Sequence, residues 1–389
     1  MLPVAILAPR ALSAVLAIAA IAMAARSART WRHGWRAERG LWLLGGVLLW
    51  ALLSIAWVGD PAQGFERWIK LALGTALGVA LLSGAATLDG RARRWIGGAV
   101  AAGVALGFAY MALDLALQGA PRRWLLELPG YYSRAGLNRG LTVAMLMIWP
   151  AGLWLWRWRR WAAVALFALC VAVLSRTESD SATAAFGLGA VTFALALAAP
   201  RAVALVLAVA TAAAVLLAPL APMTVLRPDM VAAVAPNLPS PGVHRLYIWA
   251  FTAERIAERP ILGWGLDASR GLPGKDTTLP QVNPALDVET YGQMTLLPLH
   301  PHNAALQFWL ELGLPGALAL ALLIGGLLLR VRRLPDRAGA AVATTTLMVG
   351  LSLSSFSYGM WQGWWLAALW LTAAFTVIAV AQRDPPATG

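Results

Sequence analysis

Cysteine is almost missing from this chain. Cys170 stands alone inside an apolar run, which excludes a disulfide framework and thiolate metal sites. Charge is scarce as well: Asp, Glu, Lys and Arg make up 13% of the 389 residues, hydrophobic types make up 60%, and mean hydropathy is +0.67. A soluble domain of this length cannot hide so much apolar surface, so the chain reads as an integral membrane protein. Histidine is confined to positions 33, 244, 300 and 302. With no His-x-x-x-His spacing, Asp267, Asp276, Asp287 and Glu289 lack the partners a zinc site needs, and no metal is expected. A Gly-x-Ser-x-Gly nucleophile turn is absent, as is any internal repeat. No small-residue cleavage site leads from the first 25 residues into a soluble domain, so they read as a retained helix.

What is present is a series of eleven apolar runs, at about 3–24, 41–59, 67–87, 95–117, 140–156, 161–175, 181–199, 202–221, 303–329, 338–357 and 361–381. Each is long enough, or nearly so, to cross a bilayer as a helix, and none alternates as a lipid-facing barrel strand would. The expected fold is all-α and polytopic, with about 11–12 transmembrane helices. Residues 1–221 hold helices one to eight, 222–302 form one large loop with amphipathic helices, and 303–389 hold helices nine to eleven with the tail. The net charge of +13 would suggest nucleic acid in a soluble protein. Here the arginines sit between apolar runs: Arg26, Arg29, Arg32, Arg36 and Arg39; Arg91, Arg93 and Arg94; Arg157, Arg159 and Arg160; Arg201; Arg330, Arg332, Arg333 and Arg337. These short basic connections alternate with 60–66, 118–139, 176–180, 222–302 and 358–360. By the positive-inside bias the basic set is cytoplasmic and the other faces outward. No nucleic-acid partner is expected; membrane lipids are.

The outward connections nevertheless carry Arg122, Arg123, Arg134, Arg139, Arg176, Arg227, Arg245, Arg255, Arg259, Arg270 and Lys275. Cations on the translocated side run against the usual bias, and an anionic ligand at the outer face is the simplest reason for them. In "VHRLYIWAFTAERIAERPILGWGLDASRG", apolar residues recur at helical spacing from Val243 to Glu258, and Pro260 ends the helix. Arg255 and Arg259 suit an amphipathic helix lying on the bilayer. Arg245 is expected near the helix start, where its charge adds to main-chain N–H groups facing an anion. In "SRTESDSATAAFG", Arg176 reads either as an interfacial arginine paired with Glu178 and Asp180, or as a guanidinium gripping phosphate oxygens. In "LHPHNAALQFWLELGLPG", His300 is expected in a loop before Pro301. His302 directly precedes Asn303 at a helix start. It reads either as a capping histidine or as a base near neutral pKa that takes a hydroxyl proton.

Residues 302–316 run His302, Asn303, nine residues, Gly313, two residues, Gly316. This resembles the histidine motif of O-antigen ligases and related O-antigen polymerase-type membrane proteins. "HRLYIWAFTAERIAERPILGWG" looks like that family's arginine-tryptophan helix followed by Pro-x-x-Gly-x-Gly, and "LSRTESDSATAAFG" like its Ser-Arg segment at a span end. The resemblance is strongest over roughly 170–320. It implies a GT-C-like glycosyltransferase of the bacterial inner membrane, acting on the periplasmic face without metal or other cofactor. The implied donor is a glycan on undecaprenyl diphosphate, and the implied acceptor in ligases is lipid A–core. The implied catalytic base is His302, with Arg176 and Arg245 on the donor diphosphate and Asn303, His300 and Arg139 in support. Polymerases of the same superfamily join one lipid-linked repeat to another and remain the alternative. A lipid-linked sugar transporter would need charges along a path through the membrane, and the spans carry few besides Lys70 and Asp114.

Overall fold

All eleven apolar runs fold as helix in the computed structural model, which describes residues 1–27, 39–126, 133–226, 230–231 and 238–381. Arg29, Arg32, His33, Arg36 and Arg227 lie outside the described residues. The described residues contain no strand; one isolated antiparallel bridge joins Thr278 to Thr295. The fold is all-α and polytopic. The main helices are α1 (Leu2–Leu7), α2 (Leu12–Ser27), α3 (Arg39–Leu53), α4 (Pro61–Ala86), α5 (Gly90–Ala116), α6 (Asn138–Trp158), α7 (Arg160–Leu174) and α8 (Asp180–Ala198). They continue with α9 (Pro200–Leu216), α10 (Ser240–Glu258), α11 (Ala304–Val331), α12 (Arg337–Phe356) and α13 (Gly363–Ala381).

Among the described residues, eight helices are long and apolar enough to cross a membrane. The other three runs are helical too. α7 and α9 are shorter, at 15 and 17 residues. α6 has length enough, but its Asn, Arg and Trp lower its hydropathy. It is nevertheless the axis of the bundle: Gly140 to Leu153 are all buried, walled in by α1, α5, α7, α12 and α13. Two glycines let α1 approach this axis. A Cβ at Gly107 would lie 2.5 Å from Leu2, and one at Gly140 2.6 Å from Ile6.

Two spans expected to be continuous are broken. The first, 3–24, divides at Ala8, whose φ of −141° is not helical. Pro9 is the reason, because its ring disfavours the α conformation in the residue before it. The ninth, 303–329, divides at Gly313, with φ 63° and ψ −158°. The loop after α10 crosses α11 at that break. Trp264 N–H donates to the Leu310 carbonyl and Gly265 N–H to the Glu311 carbonyl, both at 2.8 Å, while Leu314 N–H donates to Pro260 at 3.0 Å. The Trp50 indole of α3 donates to Leu312 O at 2.8 Å. A helix interrupted inside a protein leaves carbonyls and N–H groups without intrahelical partners; the Pro260–Gly265 segment supplies them. Pro315 falls in the first turn after the break, where its missing N–H costs nothing.

α10 does not lie free on a bilayer. Val243 and Tyr247 pack on Leu279, Leu286 and Tyr291, and Ile248, Phe251 and Ile256 pack on Leu272, Leu297, Leu306 and Leu310. Arg255 bonds Glu258 at 2.8 Å, and Arg259 stacks 4.1 Å from the Trp264 ring. The helix begins at Ser240 with Pro241 in its first turn, so Arg245 lies more than a turn inside it. The expected help from N-terminal N–H groups is therefore corrected: proline started the helix earlier than the apolar pattern did.

Candidate active site

The histidine pair stands where α11 begins, and three segments hold it. Trp249 of α10 donates its indole N–H to the Pro301 carbonyl at 3.0 Å, pinning the residue between the rings. The turn between α12 and α13 supplies the rest. The Ser357 carbonyl lies 2.8 Å from His302 Nδ1. A carbonyl only accepts, so Nδ1 carries the proton and Nε2 keeps its lone pair. Among the described residues Nε2 has no hydrogen-bond partner. His302 also adopts φ 53°, a left-handed conformation that costs a non-glycine residue of order 1 kcal/mol and is held only where surroundings fix it.

His300 is 5% exposed, so the expected loop histidine is a buried one. His302 N lies 3.2 Å from its Nδ1 and Gly359 N 3.2 Å from its Nε2, with the Gln362 amide also 3.2 Å from Nε2. A neutral imidazole accepts at only one nitrogen, and Nε2, which faces two of the three groups, is the better placed to accept from Gly359 N–H. An imidazolium would turn two N–H groups toward these donors. Burial, then His302 and Arg270, push its pKa down to about 3. His300 is thus a neutral strut under His302, with ring centroids 4.2 Å apart. Gly359 is required for the approach, since a Cβ there would meet the His300 ring at 2.8 Å.

Burial lowers the pKa of His302 too, and Arg245 and His244 lower it further, against the Ser357 carbonyl that raises it. The ring is therefore neutral at neutral pH. Arg245 and Trp249 are four residues apart on one face of α10, so the helix that pins Pro301 also brings a guanidinium to His302. Arg245 makes no ion pair among the described residues. Its Nε is buried without a partner, Nη1 reaches only the Pro241 carbonyl at 3.4 Å, and Asp180 is the acid whose field it feels. His244 is held through Nε2 on the Thr295 carbonyl at 2.8 Å.

The other candidates separate. Asn303 is a helix cap: its side chain accepts from Leu306 N–H at 3.1 Å, which satisfies a first-turn donor. Arg139 reaches the 357–362 turn, 6.0 Å from the Trp364 ring and near the Tyr358 hydroxyl. Arg176 is exposed just past α7 and, among the described residues, has no side-chain hydrogen bond or ion pair. Its expected partner Glu178 bonds Arg134 instead, at 3.3 Å. Arg122 is engaged by Asp114, whose carboxylate also accepts from its main-chain N–H at 3.1 Å.

Beneath the histidines lies Glu311, fully buried. It accepts from Asp267 N–H and Ser269 Oγ at 2.5 Å, Trp361 Nε1 at 2.6 Å and Gln307 Nε2 at 3.2 Å. Asp267 in turn pairs with Arg67 at 3.1 Å and Arg270 at 3.2 Å. Gln307 Oε1 accepts from Met360 N–H at 2.9 Å, so the network reaches the turn that holds both histidines. Sequence reasoning missed Glu311, Asp267, Ser357, Gly359 and Gln362. A lone acid at the head of an apolar run was a signal for Glu311; main-chain contacts left none for Ser357 and Gly359.

The O-Antigen ligase family model matches residues 165–321. A Rickettsia conorii protein named "Putative polysaccharide ligase" is 31% identical over 157 residues, 40% of this chain and 36% of that one. A Rickettsia prowazekii protein of the same description is 32% identical over 132 residues, 33% of this chain and 31% of that one. The chain thus spans about a third of the length of the curated relatives it matches. No solved structure matches it. The matched segment contains Arg176, α10, the Pro260–Gly265 crossing, the histidine pair and the break at Gly313. Over residues 165–321 the chain is similar to the O-antigen ligase family.

Proposed function

We propose that the chain transfers a glycan from undecaprenyl diphosphate to a hydroxyl of lipid A–core, on the periplasmic face of the bacterial inner membrane. In this reading the acceptor hydroxyl gives its proton to His302 Nε2 as its oxygen bonds the anomeric carbon. The bond from that carbon to the diphosphate oxygen breaks, and its electron pair leaves with the diphosphate. Arg245 and Arg176 meet the departing charge, with Arg139 nearby, as guanidinium forks suited to phosphate oxygens. His300 positions His302, and Asn303 caps the helix behind it.

The observation that carries the reading is the tautomer of His302. Its Nδ1–H is fixed on Ser357, and among the described residues Nε2 has no partner and the arginine beside it no carboxylate. A capping histidine would have used its ring on the helix it caps; here Asn303 does that work. The test is transfer in vitro from a lipid-linked glycan to purified lipid A–core, with and without EDTA. Product in both reactions supports the reading; loss on chelation with recovery on magnesium or manganese refutes the arginine grip. A deletion strain whose lipopolysaccharide keeps a single repeat would identify a polymerase instead. Sidedness is checked separately. A cysteine at 240 should label with an impermeant thiol reagent in spheroplasts, and one at 335 should not.

A further inference from the structure

At the opposite, arginine-rich end of the bundle, a cavity of about 440 Å³ lies between the start of α5 and the end of α6, lined by Arg91, Arg94, Trp95, Trp154 and Trp158. Its lining has donors and no carboxylate. Among the described residues, Arg91 and Arg94 make no ion pair or side-chain hydrogen bond, and the buried indole N–H groups of Trp154 and Trp158 have no partner. Buried indoles normally find an acceptor. The acids nearby are already engaged: Asp89 caps α5 and binds Arg26 at 2.6 Å, and Asp336 binds Arg157. Of the neighbouring cations, Arg93 sits on the Ala86 and Ala381 carbonyls at 3.2 and 3.3 Å and Arg157 on Asp336. The two guanidinium groups that line the cavity have no such partner among the described residues.

The aromatic part of the lining suits the rest of a lipid. Trp154 and Trp158 stack with centroids 5.9 Å apart, and Trp154 lies flush on α5, where a Cβ at Gly97 would meet its Nε1 at 2.4 Å. Trp95 is 73% exposed beside them, at a helix end where tryptophan commonly marks the headgroup level. Basic pockets between transmembrane helices are recurrent sites for anionic headgroups. We infer that this cavity binds the phosphate of an anionic phospholipid headgroup, with the two arginines on the phosphate and the tryptophans against the glycerol region. Inorganic phosphate shares the chemistry that Arg91 and Arg94 recognise but offers nothing to the tryptophans. The site is independent of the transfer reaction.

The test uses the full chain in neutral detergent, with native mass spectrometry of retained lipid. Dioleoyl-phosphatidylglycerol is titrated against dioleoyl-phosphatidylcholine, for wild type and Arg91→Gln/Arg94→Gln. Each arginine near an anionic headgroup contributes about fivefold, so the double variant should bind phosphatidylglycerol about 25-fold more weakly and leave phosphatidylcholine unchanged. Arg94→Gln alone removes one charge; it should weaken phosphatidylglycerol about fivefold, and it carries the test if the double variant does not fold. Unchanged retention in the variants, or equal retention of the two lipids by wild type, overturns the site. Displacement by inorganic phosphate at the lipid's own concentration overturns the lipid and leaves a free-anion site.

Discussion

Replacing Glu311 by glutamine tests whether the buried network governs the histidines. Four donors converge on the carboxylate: Asp267 N–H and Trp361 Nε1–H on Oε2, Ser269 Oγ–H and Gln307 Nε2–H on Oε1. An amide keeps one acceptor oxygen and adds two donors. Turned toward Oε2 its NH₂ would face two N–H groups that cannot rotate away. Turned toward Oε1 it meets Ser269, whose hydroxyl can swing to accept, and orphans Gln307 Nε2. Gln307 cannot flip to help without losing Met360 N–H. The cheaper placement therefore leaves one buried donor unmade and loses two charge-assisted bonds, about 2–4 kcal/mol. At about 2 °C per kcal/mol for a large chain, melting should fall by about 4–8 °C. Because Trp361 and Met360 belong to the turn that carries Ser357 and Gly359, kcat for glycan transfer should fall at least tenfold. Glu311→Ala orphans all four donors and should not fold. The measurements are thermal unfolding in detergent and transfer kinetics. Glu311→Gln with wild-type melting and wild-type kcat would refute the claim that this network holds the site.

His302→Ala should lower transfer by about 10²–10⁴-fold, the usual cost of a general base, while the protein still inserts. His300→Ala should also lose at least tenfold, since it orphans the buried N–H of Gly359; near-normal transfer in His300→Ala would reject the strut. Arg245→Lys should not restore an Arg245→Ala loss, because an ammonium cannot bridge two oxygens. Burial holds the pKa of His302 below the free value of 6.5, so the acid limb of transfer should be centred below pH 6.5; a limb centred above 6.5 contradicts the site. The unfolded chain takes up a proton at His300 near pH 6.5 and the folded chain only near 3. Stability is thus full above 6.5 and should drop by about 1.4 kcal/mol per pH unit below it, a slope that His300→Gln reduces.

The helices were legible because hydropathy is a local property: each of the eleven apolar runs is helical. Their interruptions were less so. Ala8 breaks a helix through the proline that follows, a signal present but outweighed by the apolar run. Gly313 breaks one because a second chain segment crosses there, which no window on residues 303–329 contains. Arg245 and His302 were singled out by residue type and chain order, and the fold brings the guanidinium close enough to act on the ring. His300 does stand in the loop before Pro301, but its burial was not legible, because the X-Pro pair speaks of backbone shape alone. The turn at 357–362 was passed over for a plainer reason. It works through a carbonyl and a main-chain N–H, which every residue possesses, and its one distinguishing mark is the missing Cβ of Gly359.

The spacing from His302 to Gly313 is best understood as a ruler, and Gly313→Ala measures it. At φ 63° and ψ −158° a side chain is strained by about 1–3 kcal/mol. The new Cβ would also stand 2.2 Å from Ile261 O, 2.6 Å from Ile261 C and 2.7 Å from Gly263 N. All three are main-chain atoms, so relief requires the Pro260–Gly265 segment to withdraw. That withdrawal breaks its three hydrogen bonds to α11, each worth about 1 kcal/mol. The total is about 4–6 kcal/mol, and it falls on the first half of α11, whose other end carries His302. Gly326, in the second half of the same helix, has nothing within 4 Å of a built Cβ. Gly326→Ala should therefore be neutral or slightly stabilising, as alanine is in any helix interior. Gly313→Ala should melt well below it and transfer little. If the two variants melt together and transfer alike, the crossing at Gly313 does not position the histidines, and the motif's glycine needs another explanation.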